Sequence, residues 1–278
     1  MPIRPTIAVT GATGAVGGMV ARAIAEHGVP QRLLARDPAK APKLPGSEAR
    51  GFDYTDPIAT IEALEGIETV FMVSGNDHER LPKHVAFIDA AASAGVGHIV
   101  YTSFMSAAPD AVFTFARDHH ATEEHIRASG LSWTFLRDNF YIDIMEDFVG
   151  EDGVIRGPAG EGRVSIVARA DVARSAAGVL IAPEGHRSVT YDVTGPEALT
   201  MTEIASAIGE ARGADVRFHD ETIEEAYASR ASFGAPDHVV AGWVGTYLAI
   251  ARGDLAAVTD SVEWITGTKP MSLREFLG

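Results

Sequence analysis

The stretch Thr10-Gly11-Ala12-Thr13-Gly14-Ala15-Val16-Gly17 decides the fold of this chain. The apolar run Thr6-Ile7-Ala8-Val9 before it predicts a buried strand. After it, apolar residues recur at the three- and four-residue spacing of a helix that packs one stripe on a sheet: Val16, Met19, Val20, Ala23 and Ile24. Glycines in a loop between a strand and a helix allow a tight turn, close approach of a diphosphate and close helix packing. The stretch therefore predicts a dinucleotide-binding loop.

The same alternation of strands and helices continues outward from this loop. Apolar, β-branched runs predict further strands at 31–35, 49–52, 69–73, 98–101 and 133–136. Helical spacing predicts helices at 58–64, 81–94 and 120–129, with Gly95 and Gly130 as stop signals. This order is typical of an α/β fold, a doubly wound parallel Rossmann sheet. We expect a further helix at 171–180 and a further strand at 189–193.

The second half of the chain has a different rhythm, which predicts a smaller, mostly helical C-terminal lobe. We expect residues 1–150 to form an NAD(P)-binding Rossmann domain and residues 151–278 a substrate lobe. The helix and strand of residues 171–194 are expected to return to the Rossmann sheet. The lobe would then cover the reactive end of a bound cofactor.

Composition excludes several classes of function. The 38 acidic and 23 basic residues give a net charge of −15, which would repel a nucleic-acid backbone. The chain has no cysteine, so it cannot form disulfides or use thiolate chemistry. The first strand follows Met1-Pro2-Ile3-Arg4-Pro5 and leaves no room for a signal peptide, and no apolar run is long enough to span a membrane. We expect a cytoplasmic protein without a membrane partner.

The residues after the second predicted strand bear on which dinucleotide binds. Enzymes that hold NAD by its ribose hydroxyls carry an acidic residue at this place. Here the sequence reads Leu34-Ala35-Arg36-Asp37. Arg36 could form charge-assisted hydrogen bonds with a 2′-phosphate, which favours NADP(H), while Asp37 leaves NAD(H) open.

Other residues at strand ends complete the predicted cofactor site. Asp53 follows the third strand and either contacts the adenine or caps the next helix. Ligands of open α/β sheets bind at the carboxyl ends of the strands. The candidate cofactor-binding residues are therefore Thr10, Gly11, Thr13, Gly14, Ala15, Val16, Arg36, Asp53, Val73, Ser74, Gly75, Thr102 and Ser103.

With these motifs in place, the chain resembles the NmrA-like branch of the atypical short-chain dehydrogenase/reductases, especially the type-2 quinone oxidoreductases and triphenylmethane reductases. The resemblance rests on the stretches 9–14, 95–103, 121–123, 135–141, 168–173, 191–197 and 265–267. It implies an NAD(P)-binding domain followed by a small substrate lobe. Asp171, in the fifth of these stretches, is expected to cap its helix and to order the junction between the lobes.

The usual proton donor of short-chain reductases is missing. None of the six tyrosines is followed four positions later by lysine. The resemblance places His119, four residues before Glu123, close to the nicotinamide. His119 could bond the nicotinamide part of the cofactor or pass a proton to the reduced acceptor near neutral pH. Equally, it could be a helix cap or a solvated side chain.

An electron-poor conjugated acceptor needs little acid help, because the added charge spreads over its rings. The pocket would then supply flat apolar walls that hold the acceptor. The candidate wall residues are Phe104, Phe140, Tyr141 and Trp243, each of which also suits an ordinary core position. We expect no metal, because His120, Glu123, Glu124 and His125 match neither zinc-binding helix motif and five-residue spacing does not put both histidines on one helix face. Hydride transfer from NAD(P)H to such an acceptor requires no flavin.

Two functions fit these observations. The first is an NAD(P)H-dependent reductase that passes hydride to a quinone-like, azo or dye acceptor, with a small aromatic acceptor as its partner. The second is a non-catalytic NADP(H)-sensing regulator that binds a protein partner. A homodimer is the assembly we consider for either function.

Overall fold

A computed structural model describes residues 4–75 and 79–278. The expectation about the amino terminus therefore lies partly outside the described residues, since it included residues 1–3. Eleven strands occur in this part of the chain: β1 (Ile7–Val9), β2 (Gln31–Ala35), β3 (Ser47–Gly51), β4 (Thr69–Met72), β5 (His98–Phe104), β6 (Ser132–Asp138), β7 (Val154–Gly157), β8 (Arg163–Val164), β9 (Val189–Val193), β10 (Leu199–Thr200) and β11 (Arg217–Asp220).

The helices connect and cover these strands. The α-helices are α1 (Ala15–Glu26), α2 (Pro57–Ala63), α3 (Arg80–Ser93), α4 (Thr114–Ala128), α5 (Arg169–Ile181), α6 (Met201–Arg212), α7 (Ile223–Arg230), α8 (Asp237–Ala251), α9 (Ser261–Thr266) and α10 (Leu273–Leu277). Short 3₁₀ helices lie at Pro38–Lys40, Ile142–Phe148, Pro183–His186 and Ala231–Phe233. None of the helices in residues 4–75 and 79–278 has the length and apolar character needed to cross a bilayer.

A seven-stranded parallel sheet forms the centre of the molecule, in the order β3-β2-β1-β4-β5-β6-β9. Helices α1 and α5 pack against each other on one face, and α2, α3 and α4 form a continuous layer. Because the sheet is covered on both faces, its central strands are apolar on both sides, and β4 and β5 are buried at every position. The predicted doubly wound fold is confirmed.

The strand order has its switch point between β1 and β4: β2 and β3 lie on one side of it, and β5, β6 and β9 lie on the other. From there the chain winds outward in both directions, which opens a crevice at the carboxyl ends of the strands. Strand β9 pairs with β6 at the far edge of the sheet. Strand β9 therefore belongs to the main sheet, and α5 covers one face of it. The division of the chain at residue 150 remains a prediction.

The remaining residues form a lobe whose buried apolar cluster also includes side chains from the end of β5 and from α4. Two small sheets, β7 with β11 and β8 with β10, combine with α6, α7 and α8. A cluster of buried apolar side chains links this lobe to the end of β5, where Phe104 and Met105 contribute to it. At the junction, the buried side-chain amide of Asn139 donates to the carbonyl of Leu255 and to Ser165 Oγ, each at 3.0 Å. The lobe is thus joined to the end of β6.

Two local expectations were wrong. Helix α4 begins at Thr114 rather than at residue 120, because its buried stripe includes the polar residues His119 and Glu123 and is hidden from an apolar-spacing search. Asp171 does not cap α5: the first backbone N–H of that helix, at Arg169, donates to the Asp143 carboxylate at 2.9 Å. Asp171 instead accepts from the backbone N–H of Met271 at 2.7 Å and so does lie at the junction between the lobes.

Candidate active site

The glycine loop after β1 has the close packing that its sequence suggests. Gly11 adopts a φ of +61°, and a Cβ there would lie 2.4 Å from Val73 Cγ1. A Cβ on Gly17 would lie 2.4 Å from the Gly11 carbonyl oxygen. Side chains at either position would push the loop away from β4 or from α1. The loop therefore presents bare backbone at the carboxyl edge of the sheet.

The N-terminus of α1 is open to a ligand. Gly14 occupies the N-cap position without a side-chain hydrogen bond, and the first turn carries no acidic residue. Thr13, Gly14 and Ala15 are exposed, whereas Val16 is buried in the core below. Free backbone N–H groups and the positive end of the helix dipole bind anions. These residues fit a dinucleotide diphosphate.

The ends of β2 and β3 bring Arg36 and Asp53 near each other. Arg36 is exposed and makes no ion pair within the described residues, and its charge helps to lower the pKa of Asp53. The larger cause of that lowered pKa is hydrogen bonding from the backbone and side chain of Thr55. The helix that follows β3, α2, is capped by Asp56. Asp53 is therefore not the cap of that helix. Asp37 is already engaged, since it accepts a hydrogen bond from the Ala39 N–H.

Hydroxyl groups brace the loop after β4. Thr10 Oγ1 accepts from the Val73 N–H at 3.0 Å, and Thr102 Oγ1 accepts from the Ser74 N–H at 3.1 Å. Both threonines are buried, while Gly75 is exposed. Ser103 is buried as well and donates to Glu123 Oε1 at 2.6 Å. The two threonines thus fix the backbone of Val73 and Ser74 at the carboxyl edge of the sheet, and Gly75 is the exposed residue of this loop.

His119 lies inside α4 and is 6% exposed, so it is neither a helix cap nor a solvated side chain. Its Nδ1 lies 2.8 Å from the hydroxyl of Tyr101, which is fully buried in the middle of β5. Burial lowers the pKa of His119 well below its usual value, and the positive charge of Arg80 adds to the effect. The imidazole is therefore neutral at physiological pH.

Sequence reasoning did not single out Arg80, which packs beside His119. Arg80 is 4% exposed, pairs with Asp118 at 2.9 Å and stacks over the ring of Phe115 at 4.0 Å. Its Nη2 atom is buried and has no hydrogen-bond partner among residues 4–75 and 79–278. In the sequence it stands one residue before the helix predicted at 81–94, and this position gives no hint of burial.

Aromatic rings gather at the carboxyl end of β5 and β6. The centre of the Phe104 ring lies 4.8 Å from that of Phe113 and 5.1 Å from that of Phe140. The same ring stacks on His119 with a distance of 6.2 Å between ring centres. Two of the candidate wall residues, Phe104 and Phe140, are thus brought together beside the candidate catalytic histidine. Phe113 was not predicted.

Trp243 lies elsewhere. Glycines on one face of α8, at 242 and 245, pack on Phe115 and on the backbone of Phe113. Trp243 projects from the helix into a different cavity of about 660 Å³, which Phe148, Phe233 and Tyr247 also line. The structure therefore does not join Trp243 to the rings of Phe104 and Phe140.

Tyr141, the fourth candidate wall residue, is partly buried just beyond the end of β6. Its hydroxyl donates to the Asp138 carboxyl group at 2.5 Å, and the Arg169 guanidinium lies 4.9 Å from its ring centre. Asp138 was not predicted as a site residue. Within residues 4–75 and 79–278, no group of three or more histidine and carboxylate side chains is arranged to hold a metal ion.

Comparison with known proteins identifies the family. A model described as NAD(P)H-binding matches residues 11–183, more than half of the chain. The chain belongs to this NAD(P)H-binding family. Its resemblance to the NmrA-like short-chain dehydrogenase/reductases is confirmed, and it is an oxidoreductase of that group.

Known relatives match this chain over nearly its whole length. The chain is 33% identical over 275 residues to the NAD(P)H azoreductase of Xenophilus azovorans, covering 97% of this chain and 96% of the other. It superposes on the Escherichia coli NADPH-dependent quinone oxidoreductase complexed with NADPH with a TM-score of 0.89, at 31% identity and 98% coverage of both chains. The triphenylmethane reductase of Citrobacter sp. complexed with NADP(H) gives a TM-score of 0.86 at 31% identity and 98% coverage of both.

Proposed function

We propose that this protein is an NAD(P)H-dependent reductase that transfers hydride to a quinone-like, azo or dye acceptor. The names of its whole-length relatives support this class of acceptor. The observation that carries the proposal is the stacking of Phe104 on a neutral His119 at the crevice of a dinucleotide-binding sheet. Flat rings beside an uncharged imidazole suit a flat, conjugated acceptor better than a charged or aliphatic one.

The bound cofactor supplies the hydride, and the side chains of the protein hold the acceptor in position to receive it. The Phe104 and Phe140 rings exclude water and hold the acceptor plane. His119 has Nδ1 engaged with Tyr101, which leaves Nε2 as its second hydrogen-bonding atom for the cofactor or the acceptor. No tyrosine in the sequence has a lysine four positions later, so a simple ketone would lack its usual acid.

NADPH is the cofactor that the charges favour. Arg36 is exposed and free of ion pairs within the described chain, so it can meet a 2′-phosphate. Asp37, the residue that could have held the hydroxyls of NADH, already caps the 3₁₀ helix at Pro38–Lys40. Both features support NADP(H) over NAD(H).

The direct test is the acceptor-dependent oxidation of NADPH, followed by absorbance, with naphthoquinones, azo dyes and triarylmethane dyes. We expect turnover with at least one of these classes and none with simple aliphatic ketones. Gly17→Ala places a methyl group against the Gly11 carbonyl and should abolish NADPH binding in calorimetry. Gly185→Ala is the matched control, because a Cβ there meets no atom within 4 Å.

A folded protein that binds NADPH but reduces none of the acceptors would contradict the proposed reaction. The NADP(H)-sensing regulator would then be the better hypothesis, provided that NADP⁺ and NADPH bind with clearly different affinities. If neither nucleotide binds to the wild-type protein, both functions fail.

A further inference from the structure

The cavity beside α8 is a feature that the proposed reaction does not use. Its volume of about 660 Å³ is that of a small-molecule site. The aromatic rings of Phe148, Phe233, Trp243 and Tyr247 line it. Phe233 is 70% exposed and Trp243 is 38% exposed. Large aromatic side chains that stay open to solvent around a cavity indicate a ligand site.

Helix α8 separates this cavity from the aromatic group beside His119. Gly245 packs on the backbone of Phe113, whose ring belongs to that group. Trp243 and Tyr247 each stand two residues from Gly245, which places them roughly 160° round the helix from it. The cavity therefore lies on the side of α8 that faces away from Phe113.

The charged side chains that line the cavity leave one negative charge unbalanced. Arg156 donates two hydrogen bonds to the Asp152 carboxylate, at 3.0 and 2.5 Å, and Arg230 donates to Glu221 at 2.9 Å. Asp147 also lines the cavity; it is exposed and forms no ion pair with residues 4–75 and 79–278. The net charge of −15 adds to the attraction of this place for cations.

The aromatic walls favour the same sign of charge. The rings of Phe233 and Trp243 meet edge to face, with 5.9 Å between their centres, and so form two sides of a corner. Arg230 lies 5.4 Å from the centre of the Tyr247 ring. Within the described part of the chain, no arginine or lysine lies over the other three rings of the cavity. Open aromatic faces attract cations, and tryptophan does so most strongly.

We propose that this cavity binds a flat aromatic cation, with its rings against Trp243 and Phe233 and its positive charge beside Asp147. The site is separate from the crevice in which hydride is transferred, so the proposal does not depend on the proposed reaction. A neutral aromatic molecule of the same shape keeps the ring contacts but gains nothing from the carboxylate. An aromatic anion is repelled by it.

Three probes that differ in charge test the proposal: N-methylacridinium, acridine at pH 8, where it is uncharged, and anilinonaphthalene sulfonate. Each is titrated by calorimetry into the complex of the protein with NADP⁺, which holds no hydride to transfer. The cation should bind about 10-fold more tightly than neutral acridine, as expected from added cation–π and carboxylate contacts. The anion should bind most weakly.

The aromatic wall is tested by Trp243→Ala, which should weaken the binding of N-methylacridinium and of acridine by about 10-fold each. Trp264→Ala is the matched control, because Trp264 is 62% exposed on α9 and packs on Tyr191, outside the cavity. It should leave both affinities unchanged.

The charge is tested by Asp147→Asn, which keeps the size of the side chain. This variant should lower the affinity for N-methylacridinium by about 3- to 10-fold and leave that for acridine unchanged. Glu26→Gln, at the exposed end of α1, is the matched control and should change neither affinity. Melting temperatures verify that all variants are folded.

Two results overturn the proposal. One is equal affinity of the wild-type protein for the cation and for neutral acridine. The other is a cation that a naphthoquinone displaces and whose affinity Trp243→Ala leaves unchanged, because that cation occupies the crevice. If Trp243→Ala does not fold, Asp147→Asn alone must show the selective loss of the cation, and the absence of that loss overturns the proposal. A protein that oxidises no NADPH with any acceptor overturns the proposed reaction without affecting this titration.

Discussion

At the scale of single residues, His119 shows how burial changes chemistry that a sequence suggests. A histidine near a nicotinamide invites a role as an acid near neutral pH. In the fold it is enclosed by α4, Phe104 and Tyr101, and the nearby Arg80 disfavours the imidazolium further. His119 is therefore suited to hydrogen bonding and not to carrying a proton at pH 7.

Arg36 is the residue on which the choice of cofactor depends. Arg36→Gln removes the charge that would meet a 2′-phosphate, so the Kd for NADPH should rise by about 10-fold or more, as one charge-assisted contact of 1.5–3 kcal/mol implies. The Kd for NADH should stay unchanged. Calorimetry with both nucleotides measures this difference.

Arg22→Gln is the matched control, because Arg22 is exposed on α1. It should leave both affinities unchanged. Equal weakening of NADPH and NADH by Arg36→Gln would contradict a contact with the 2′-phosphate.

At the scale of elements, α4 is held to the sheet by a buried charged network as well as by apolar packing. Glu123 is fully buried and accepts hydrogen bonds from Ser103 on β5 and from both Arg137 Nε and Nη2 on β6. Arg127 adds a longer contact at 3.3 Å. This network fixes the rotation of α4 and with it the direction of His119, one helical turn earlier.

Glu123→Ala should therefore cost about 3–5 kcal/mol of unfolding free energy, because it leaves the Arg137 charge without its partner. Urea unfolding measures this loss. Glu124→Ala, on the exposed side of the same turn, should change stability by less than about 1 kcal/mol. Similar values for the two variants would show that the buried network does not hold the helix.

The contrast between α1 and α4 explains what the sequence could predict. The loop before α1 is local: three glycines, a strand and an apolar stripe lie within about two dozen residues, and each signal agrees with the others. The start of α4 depends on partners from β5 and β6, which only the folded sheet brings close. The Asp138 and Tyr141 pair escaped notice for a similar reason, since three-residue spacing across a strand end has no fixed geometry.

At the scale of the whole molecule, buried titratable groups make stability depend on pH. Burial lowers the pKa of His84 and His98 to about 4, and that of His119 well below 6.5. Below pH 6.5 the unfolded chain takes up protons at these positions while the folded chain does not. Their contribution is present above pH 6.5 and lost as the pH falls. Asp138 acts in the opposite sense, because its raised pKa favours the folded state at lower pH.

The combined effect of these three histidines on the unfolding free energy exceeds the opposite effect of Asp138. Acidic pH should therefore destabilise the protein. His84 and His98 each lose roughly 1.5 kcal/mol between pH 6.5 and pH 5, His119 acts in the same direction, and Asp138 returns roughly 2 kcal/mol. We expect a net fall of at least about 1 kcal/mol in the unfolding free energy, measured by urea unfolding at the two pH values.

His98→Gln should reduce the fall in unfolding free energy between pH 6.5 and pH 5 by the contribution of one histidine. His27→Gln, at an exposed helix end, should leave this fall unchanged. A stability that does not change between pH 5 and pH 6.5 would contradict the assignment of these histidines as neutral in the fold.

The packing of α5 on α1 has a consequence for how the protein is made. Until residue 181 has left the ribosome, the surfaces of α1 and of the sheet that α5 covers in the finished protein remain exposed. At about 5–20 residues per second, synthesis of the stretch from the glycine loop to that point takes roughly 10–30 seconds. During this interval the nascent chain already contains the glycine loop but exposes apolar surface that α5 later buries. Chaperones can bind such surface.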